Sequence, residues 1–249
     1  MTPPSWLTAT PIAHRGLHDK AIGIIENTLT AMEAATTRGF AIECDVQLTS
    51  DGDAVVFHDF TLERLTGETG AVVERTSSDL QKIAITGSAS DTIPSLTAFL
   101  DRLAGRVPLV VEIKSRFDED LRLTERTCEI VRSYIGPICI KSFDPRIVAH
   151  VRMIAPGLLR GIVAESRHDH ASYDRLSPEQ KKSLGELLHF EQSQPHFLSW
   201  RANDLPAGAP YLARLLGRLP VMTWTVRTPE ERERASRHAD QIVFEGFLP

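Results

Sequence analysis

The chain has 249 residues, 42% hydrophobic and 24% charged, with a net charge of -5. That is enough apolar material for one large core, and about the length of a single α/β barrel. The acidic balance excludes bulk attraction to nucleic acid or to an anionic membrane, which needs a basic patch. An anionic ligand would be held by local charge. No apolar run approaches the ~20 residues of a membrane span, so no stable membrane insertion is expected. Met1 to Thr10 has neither a basic n-region nor an apolar h-region and reads as no signal peptide. Three cysteines, Cys44, Cys128 and Cys139, form no disulfide pattern. The expected setting is the cytoplasm. Nothing in the sequence specifies an oligomeric state.

Along the chain, short β-rich runs alternate with helical patterns. The runs are Pro11–His14, Phe40–Val46, Pro108–Lys114, Ile138–Ser142, Leu158–Val163, His196–Trp200, Val221–Val226 and Gln241–Glu245. Several are almost continuously apolar, as strands buried on both faces should be. Asn27 or Thr28 can cap a helix that ends at Gly39, Pro145 opens one reaching about Ala155, and Pro229–His238 is a charged helix. Eight strands with helical crossovers predict an α/β fold, a (β/α)8 TIM barrel. An open doubly wound sheet is the rival, but no G-x-G-x-x-G follows the first strand. A ninth short strand, Ala54–Phe57, follows Asp51-Gly52, a hairpin turn signal. The second strand therefore folds back and returns His58-Asp59 near its own end. The polar stretch 60–93 that follows reads as a small insertion, or lid, on a single domain spanning 1–249.

Barrel enzymes carry their working residues at the C-terminal ends of the strands. Here those ends offer His14-Arg15-Gly16, Glu43-Cys44-Asp45, His58-Asp59, Glu112-Ile113-Lys114, Lys141-Ser142-Phe143, Trp224 and Glu245. Alternation places Glu43 and Asp45 on one face and Cys44 on the other, where it reads as core rather than a zinc ligand. Singly, each carboxylate is most simply a surface ion pair. Together, Glu43, Asp45 and Glu112 call for a positive partner, and oxygen ligands suit Mg2+ or Ca2+ alike. His14 and His58 at neighbouring strand ends suit paired acid–base chemistry. Arg15 and Lys114 beside them either partner the carboxylates or clamp a phosphoryl group. Trp224 is either core or an apolar wall for a substrate, and its late place in the strand favours the wall. The other seven histidines read as surface or structural.

These residues form an ordered set. It runs His14-Arg15-Gly16, Glu26-Asn27-Thr28, Glu43-x-Asp45, Asp51-Gly52, Val55-Val56-Phe57-His58-Asp59, Glu112-Ile113-Lys114, Ser142-Phe143 and Trp224-Thr225-Val226. In order and spacing the set resembles the glycerophosphodiester phosphodiesterase family, from His14 to about Glu245. The resemblance implies a (β/α)8 barrel related to phosphatidylinositol-cleaving phospholipases. It implies a small-molecule glycerophosphodiester substrate, hydrolysed to sn-glycerol 3-phosphate and an alcohol. It makes Glu43, Asp45 and Glu112 the cation ligands, His14 and His58 the acid–base pair, and Arg15 and Lys114 the phosphate holders. Glu26 becomes a metal neighbour or an orienter of Arg15. Three features depart from the family pattern: Ile25 stands where Pro is usual, Glu245-Gly246 replaces an Asp, and 164–195 shows no family motif. Two rival enzyme classes are a sphingomyelinase D-type lyase and a membrane-acting phospholipase. The first is expected to be secreted and disulfide-bearing, and the 6% aromatic content gives the second no support. A barrel that binds a phosphorylated ligand without catalysis would be expected to lack one of the five central residues.

Overall fold

The computed structural model describes residues 3–249. Its strands are β1 (Ile12–Ala13), β2 (Ala41–Leu48), β3 (Ala54–Val56), β4 (Leu109–Ile113), β5 (Ile138–Ser142), β6 (Leu159–Ala164), β7 (Phe197–Arg201), β8 (Val221–Val226) and β9 (Gln241–Phe244). They join one nine-stranded sheet in the order β1-β9-β8-β7-β6-β5-β4-β2-β3, and β1 also pairs with β2. Eight of these strands, interleaved with helices, carry the order of a (β/α)8 barrel. β3 is an antiparallel addition beside β2, with Val46 opposite Val56 and Leu48 opposite Ala54. Every expected strand is present, with ends shifted by one or two residues. The first run contracts to Ile12–Ala13 and the second extends to Leu48.

The chain forms two compact units. One comprises Ile12–Lys114 and Arg122–Ile138. In it β2 is the central strand. It pairs in parallel with β1, Ile12 beside Ala41, and with β4, Glu43 beside Val110 and Asp45 beside Glu112. All eight residues of β2 are buried. The hairpin to β3 turns on Gly52, at φ 79° in the left-handed region that glycine enters without cost. The turn is tied by Thr49, whose hydroxyl donates to Asp51 at 2.6 Å and accepts from the Asp53 N–H at 2.9 Å. The helix Leu29–Thr37 is capped by Thr28, which settles the choice between Asn27 and Thr28. Its side-chain oxygen accepts from the Ala31 N–H at 3.2 Å.

The segment 60–93 is more than a polar loop. Leu62, Val72, Leu80, Ile85 and Ile93 bury themselves with Ile25, Val55 and Phe57 in one apolar cluster. At roughly 1.5–3 kcal/mol per fully buried large aliphatic or Phe side chain, this burial is a substantial anchor for the segment. Its polar residues tie the surface around that cluster. Asp91, for example, accepts from the Thr30 hydroxyl at 2.5 Å and the Ser88 hydroxyl at 2.7 Å.

The second unit comprises Ser115–Leu121 and Cys139–Pro249 with the N-terminal stretch to Pro11. Strands β6 to β9 pair in parallel, in register Ile162–Leu198, Leu198–Val221 and Thr223–Ile242. Outside them, Val148, Ile162, Leu198, Trp200 and Val221 pack with residues of the helix Gly208–Gly217 and its approach. Pro145 starts the helix Pro145–Ile154 and Pro229 starts Pro229–Ser236, both at the first turn, as the sequence suggests. All three cysteines are buried, and none is in a disulfide. Among the described residues, no helix is long and apolar enough to cross a membrane.

Candidate active site

The first unit gathers eight of the nine predicted site residues on a few short elements. Glu43 and Asp45 lie two apart on β2 and so share a face, and the parallel register sets Asp45 directly beside Glu112 on β4. Glu43, Asp45 and Glu112 are all buried, and one ligand oxygen from each lies within 4.8 Å of the others. Such carboxylates are tolerated only with cations close by. Lys114 supplies one. Two residues beyond Glu112, its Nζ bridges Asp45 Oδ1 at 2.9 Å and Glu112 Oε1 at 2.7 Å. Burial alone would push the Asp45 carboxyl up, but Lys114, His58, Arg15 and His14 hold it well below the usual carboxylate range. Lys114 is held above its ordinary value for the reciprocal reason: Asp45 and Glu112 outweigh the desolvation of its ammonium.

Arg15 supplies the second cation, and its placement depends on a tight turn after β1. Arg15 has φ 56° and Gly16 φ 81°. A Cβ on Gly16 would lie 2.8 Å from the carbonyl carbon of Ala31, so only glycine fits there. In this turn the Arg15 N–H donates to Glu43 Oε2 at 3.1 Å. Its guanidinium donates to Glu26 Oε1 at 2.6 Å and lies 3.3 Å from Asp45 Oδ2. Burial lowers the Arg15 pKa, but Asp45, Glu26 and Glu43 raise it above the ordinary value overall. His14, one residue earlier, brings Nε2 to 4.0 Å from Glu43 Oε2.

His58 arrives by the hairpin. The Phe57 N–H donates to the Asp45 carbonyl at 3.0 Å, and Gln47 Nε2 donates to the His58 carbonyl at 2.9 Å. The end of β3 is therefore pinned to the strand that carries the carboxylates. The His58 ring faces Asp59, with Nδ1 2.6 Å from Oδ1. Partial burial of Asp59 works against its charge, but hydrogen bonds from His58 and Arg64 keep its carboxyl well below the usual range. An ionised carboxylate only accepts, so the proton on the His58 side of this contact belongs to Nδ1.

Glu26 sits between two arginines. Burial pushes its carboxyl up, yet Arg64 and Arg15 bring it down to about 2. Its contact with Arg15, at 2.6 Å, matches the expected role of an orienter.

Arg64 escapes a reading of the sequence, and for Asn27 and Asp59 the motif gives the position but not the role. Asn27, at φ 58°, donates from Nδ2 to Asp45 Oδ2 at 2.9 Å and accepts from the Asp45 N–H at 3.2 Å. It fixes both ends of that residue. Asp59 orients His58, and Arg64 binds Asp59 and Glu26 together. Asn27 leaves a weak signal, since Asn is enriched in left-handed backbone. Arg64 leaves none, being one charge in a polar stretch.

The ninth predicted residue, Trp224, lies in the second unit, half-buried on β8. Its Nε1 donates to the Ser199 carbonyl at 2.9 Å, and it meets Phe143 edge-on with ring centroids 5.4 Å apart. Phe143 also packs on Tyr173, which packs on Phe117 and His168. The Tyr173 hydroxyl donates to Glu165 at 2.7 Å, and Arg201 binds the other oxygen of Glu165 at 2.9 Å. Glu245 pairs with Arg227 at 2.7 Å.

A (β/α)8 barrel strand order with three buried carboxylates and two histidines at strand ends defines a barrel with a cluster able to hold a metal ion. Residues 14–243 match the model of the glycerophosphoryl diester phosphodiesterase family. The match covers nearly the whole chain, which therefore belongs to that family and is a phosphoric diester hydrolase. A glycerophosphodiester phosphodiesterase of Caldanaerobacter subterraneus subsp. tengcongensis is 32% identical over 161 residues, 61% of this chain and 65% of that protein. Glycerophosphodiester phosphodiesterase 1 of Rattus norvegicus is 39% identical over 251 aligned positions, 91% of this chain and 74% of that one. In fold, the chain is similar to an Oleispira antarctica phosphodiesterase solved with the product sn-glycerol-3-phosphate. The TM-score is 0.75 at 21% identity, over 96% of this chain and 94% of that one.

Proposed function

We propose that the chain hydrolyses glycerophosphodiesters to sn-glycerol 3-phosphate and an alcohol, using a divalent cation, Mg2+ or Ca2+, held by Glu43, Asp45 and Glu112. The observation that carries this is the buried three-carboxylate cluster bracketed by Arg15, Lys114 and the two histidines. An all-oxygen donor set of buried carboxylates fits a hard cation. Bound there, such a cation would supply Lewis-acid stabilisation of the charge that develops on the phosphoryl group and would make the attacking hydroxyl more acidic.

The chain's own residues do the rest. One of His14 and His58 takes the proton of the attacking oxygen, and the other protonates the departing alcohol. His58 acts at Nε2, since its Nδ1 proton is committed to Asp59. Arg15 and Lys114 offset the charge on the phosphate oxygens in the transition state. Glu26 holds the Arg15 guanidinium at 2.6 Å. Trp224 is assigned to a substrate wall, in keeping with its half-buried aromatic surroundings. The attacking oxygen is the glycerol 2-hydroxyl, giving a cyclic phosphate that water then opens, or water itself. A glycol analogue without the 2-hydroxyl separates these routes. We read 1–249 as one catalytic domain with 60–93 as its insertion, and the three thiols outside any disulfide support a cytoplasmic setting.

The test is release of glycerol 3-phosphate from glycerophosphocholine and glycerophosphoethanolamine, followed with a coupled dehydrogenase. Release from either substrate by the wild type, lost in His14→Ala and His58→Ala, is the expected result. No release from any glycerophosphodiester with Mg2+ or Ca2+ present would overturn the reading.

A further inference from the structure

Arg64 lies in the 60–93 segment and carries no part of the chemistry proposed above, yet it is hydrogen-bonded to two residues that touch the proposed machinery. Its Nε and Nη2 donate to Asp59 Oδ2 at 2.5 Å and Oδ1 at 3.0 Å. Its Nη1 and Nη2 donate to Glu26 Oε2 at 3.0 Å and Oε1 at 2.7 Å. One guanidinium thus grips two carboxylates, each with both oxygens engaged. Beyond Asp59 stands His58 Nδ1, and beyond Glu26 stands the Arg15 guanidinium, itself 3.3 Å from Asp45 Oδ2. The hydrogen-bonded chain therefore runs His58–Asp59–Arg64–Glu26–Arg15. Leu62, two residues before Arg64, is fully buried in the apolar cluster with Val55 and Phe57, so the backbone that carries Arg64 is fixed.

We infer that Arg64 is a positioning residue. By holding Asp59 and Glu26 together, it sets the tautomer and orientation of His58 and the pose of the Arg15 guanidinium. The role rests on the proposed assignment of His58 and Arg15. The physical need is clear on both sides. A free imidazole favours the proton on Nε2, and Asp59 reverses this only while its carboxylate is held against Nδ1. Asp59 and Glu26 are acceptors only, and without the fork between them they have no reason to stay close. Lysine does not replace this. A single ammonium lacks the planar fork that binds two carboxylates bidentately.

The test combines a structural readout with a kinetic one. In 15N-labelled protein, the neutral His58 ring is expected to be the Nδ1–H tautomer. Arg64→Met should move it toward Nε2–H, and Arg64→Lys should move it partway. Unfolding temperatures identify which variants fold, and Arg64→Lys serves if Arg64→Met does not. In glycerophosphodiester hydrolysis, Arg64→Met should lower kcat on the order of 10²-fold with KM changed much less, since misplacing a reacting group by an ångström costs about that much. The Asp59→Asn, Arg64→Met double variant should be no slower than the slower single variant, because the two act as one unit. Methylguanidine added to Arg64→Gly should restore part of the rate. An unchanged His58 tautomer in a folded Arg64 variant would overturn the inference, even if stability falls. So would fully multiplicative losses in the double variant. If the wild type releases no glycerol 3-phosphate, the functional reading fails instead, and the tautomer still decides the role of Arg64.

Discussion

The two compact units solve the problem of burying polar groups in opposite ways. In the unit built on β1, β2 and β4, Glu43, Asp45 and Glu112 are sunk together among strands, and Arg15, Lys114 and Asn27 are spent on holding them. In the unit of β6 to β9, the rings of Phe117, Phe143, Tyr173 and Trp224 meet in tilted and edge-on contacts, and the buried Glu165 is shared between Tyr173 and Arg201. Dense charge stores an electrostatic field at the cost of desolvation, whereas edge-packed rings store shape. On the proposed reading, the first arrangement carries the chemistry and the second the apolar recognition. Four perturbations test this contrast.

The largest effect is expected at the histidines. His14→Ala and His58→Ala should each lower kcat by ~10²–10⁴, the usual worth of a positioned acid or base, with the unfolding temperature little changed. Either variant turning over at the wild-type rate would remove that residue from the mechanism. Next comes Lys114→Met. It leaves Asp45 and Glu112 without the ammonium that bridges them at 2.9 and 2.7 Å. Breaking a buried pair costs about 3–5 kcal/mol, to be read by urea unfolding in EDTA. Mg2+ or Ca2+ should recover more stability in this variant than in the wild type.

A third test belongs to the second unit. His189 is buried, its Nδ1 is 3.0 Å from the Ser193 hydroxyl, and its Nε2 is buried without a hydrogen-bond partner. Burial lowers its pKa from 6.5 to about 4. The unfolded chain therefore takes this proton first as pH falls. The associated stability is full above 6.5, is lost between 6.5 and about 4, and changes no further below that. The loss amounts to about 3 kcal/mol at 1.36 kcal/mol per unit. His189→Asn should flatten the stability profile across that window, while the stability contributed by Glu26 is full above its ordinary value of 4.5 and is lost only as pH falls from 4.5 toward about 2. An unchanged slope in His189→Asn would deny the burial argument. The smallest effect is expected for Trp224→Phe, which loses the indole hydrogen bond to Ser199 and should cost about 1 kcal/mol of stability. It should raise KM for glycerophosphodiesters while kcat stays within a few-fold. A fall in kcat with KM unchanged would blur the division between the units.

Much of the site is legible in the sequence because it follows short-range rules. Two-residue alternation puts Glu43 and Asp45 together, Asp51-Gly52 announces the hairpin that returns His58, and Thr28 caps its helix. Asp45 beside Glu112 is different, since it depends on the register of strands whose paired residues are 67 positions apart. Strand ends were legible as candidates, but the pairing follows only from the fold. Arg64 was not legible. Its partners lie 5 and 38 residues away, and an ion pair across such a gap has no period. The segment 60–93 reads as polar because its apolar residues are spaced irregularly, and they reach the cluster around Val55 and Phe57 from different elements, Val72 from a 3-10 helix and Leu80 from the helix Ser77–Leu80. In Trp224 the strand position was readable, while the Ser199 carbonyl that anchors the indole comes from the neighbouring strand.

On the proposed reading the carboxylate trio holds a divalent cation, and hydrolysis depends on it. The most direct measurement is the rate of glycerol 3-phosphate release from glycerophosphocholine by EDTA-treated protein, before and after Mg2+ or Ca2+ is returned, in the wild type and in Glu112→Gln. No release in EDTA is expected, with recovery on return of one of the two cations and little or no recovery in the variant at the same concentration. Full activity in EDTA, or a variant that recovers as the wild type does, would contradict that reading.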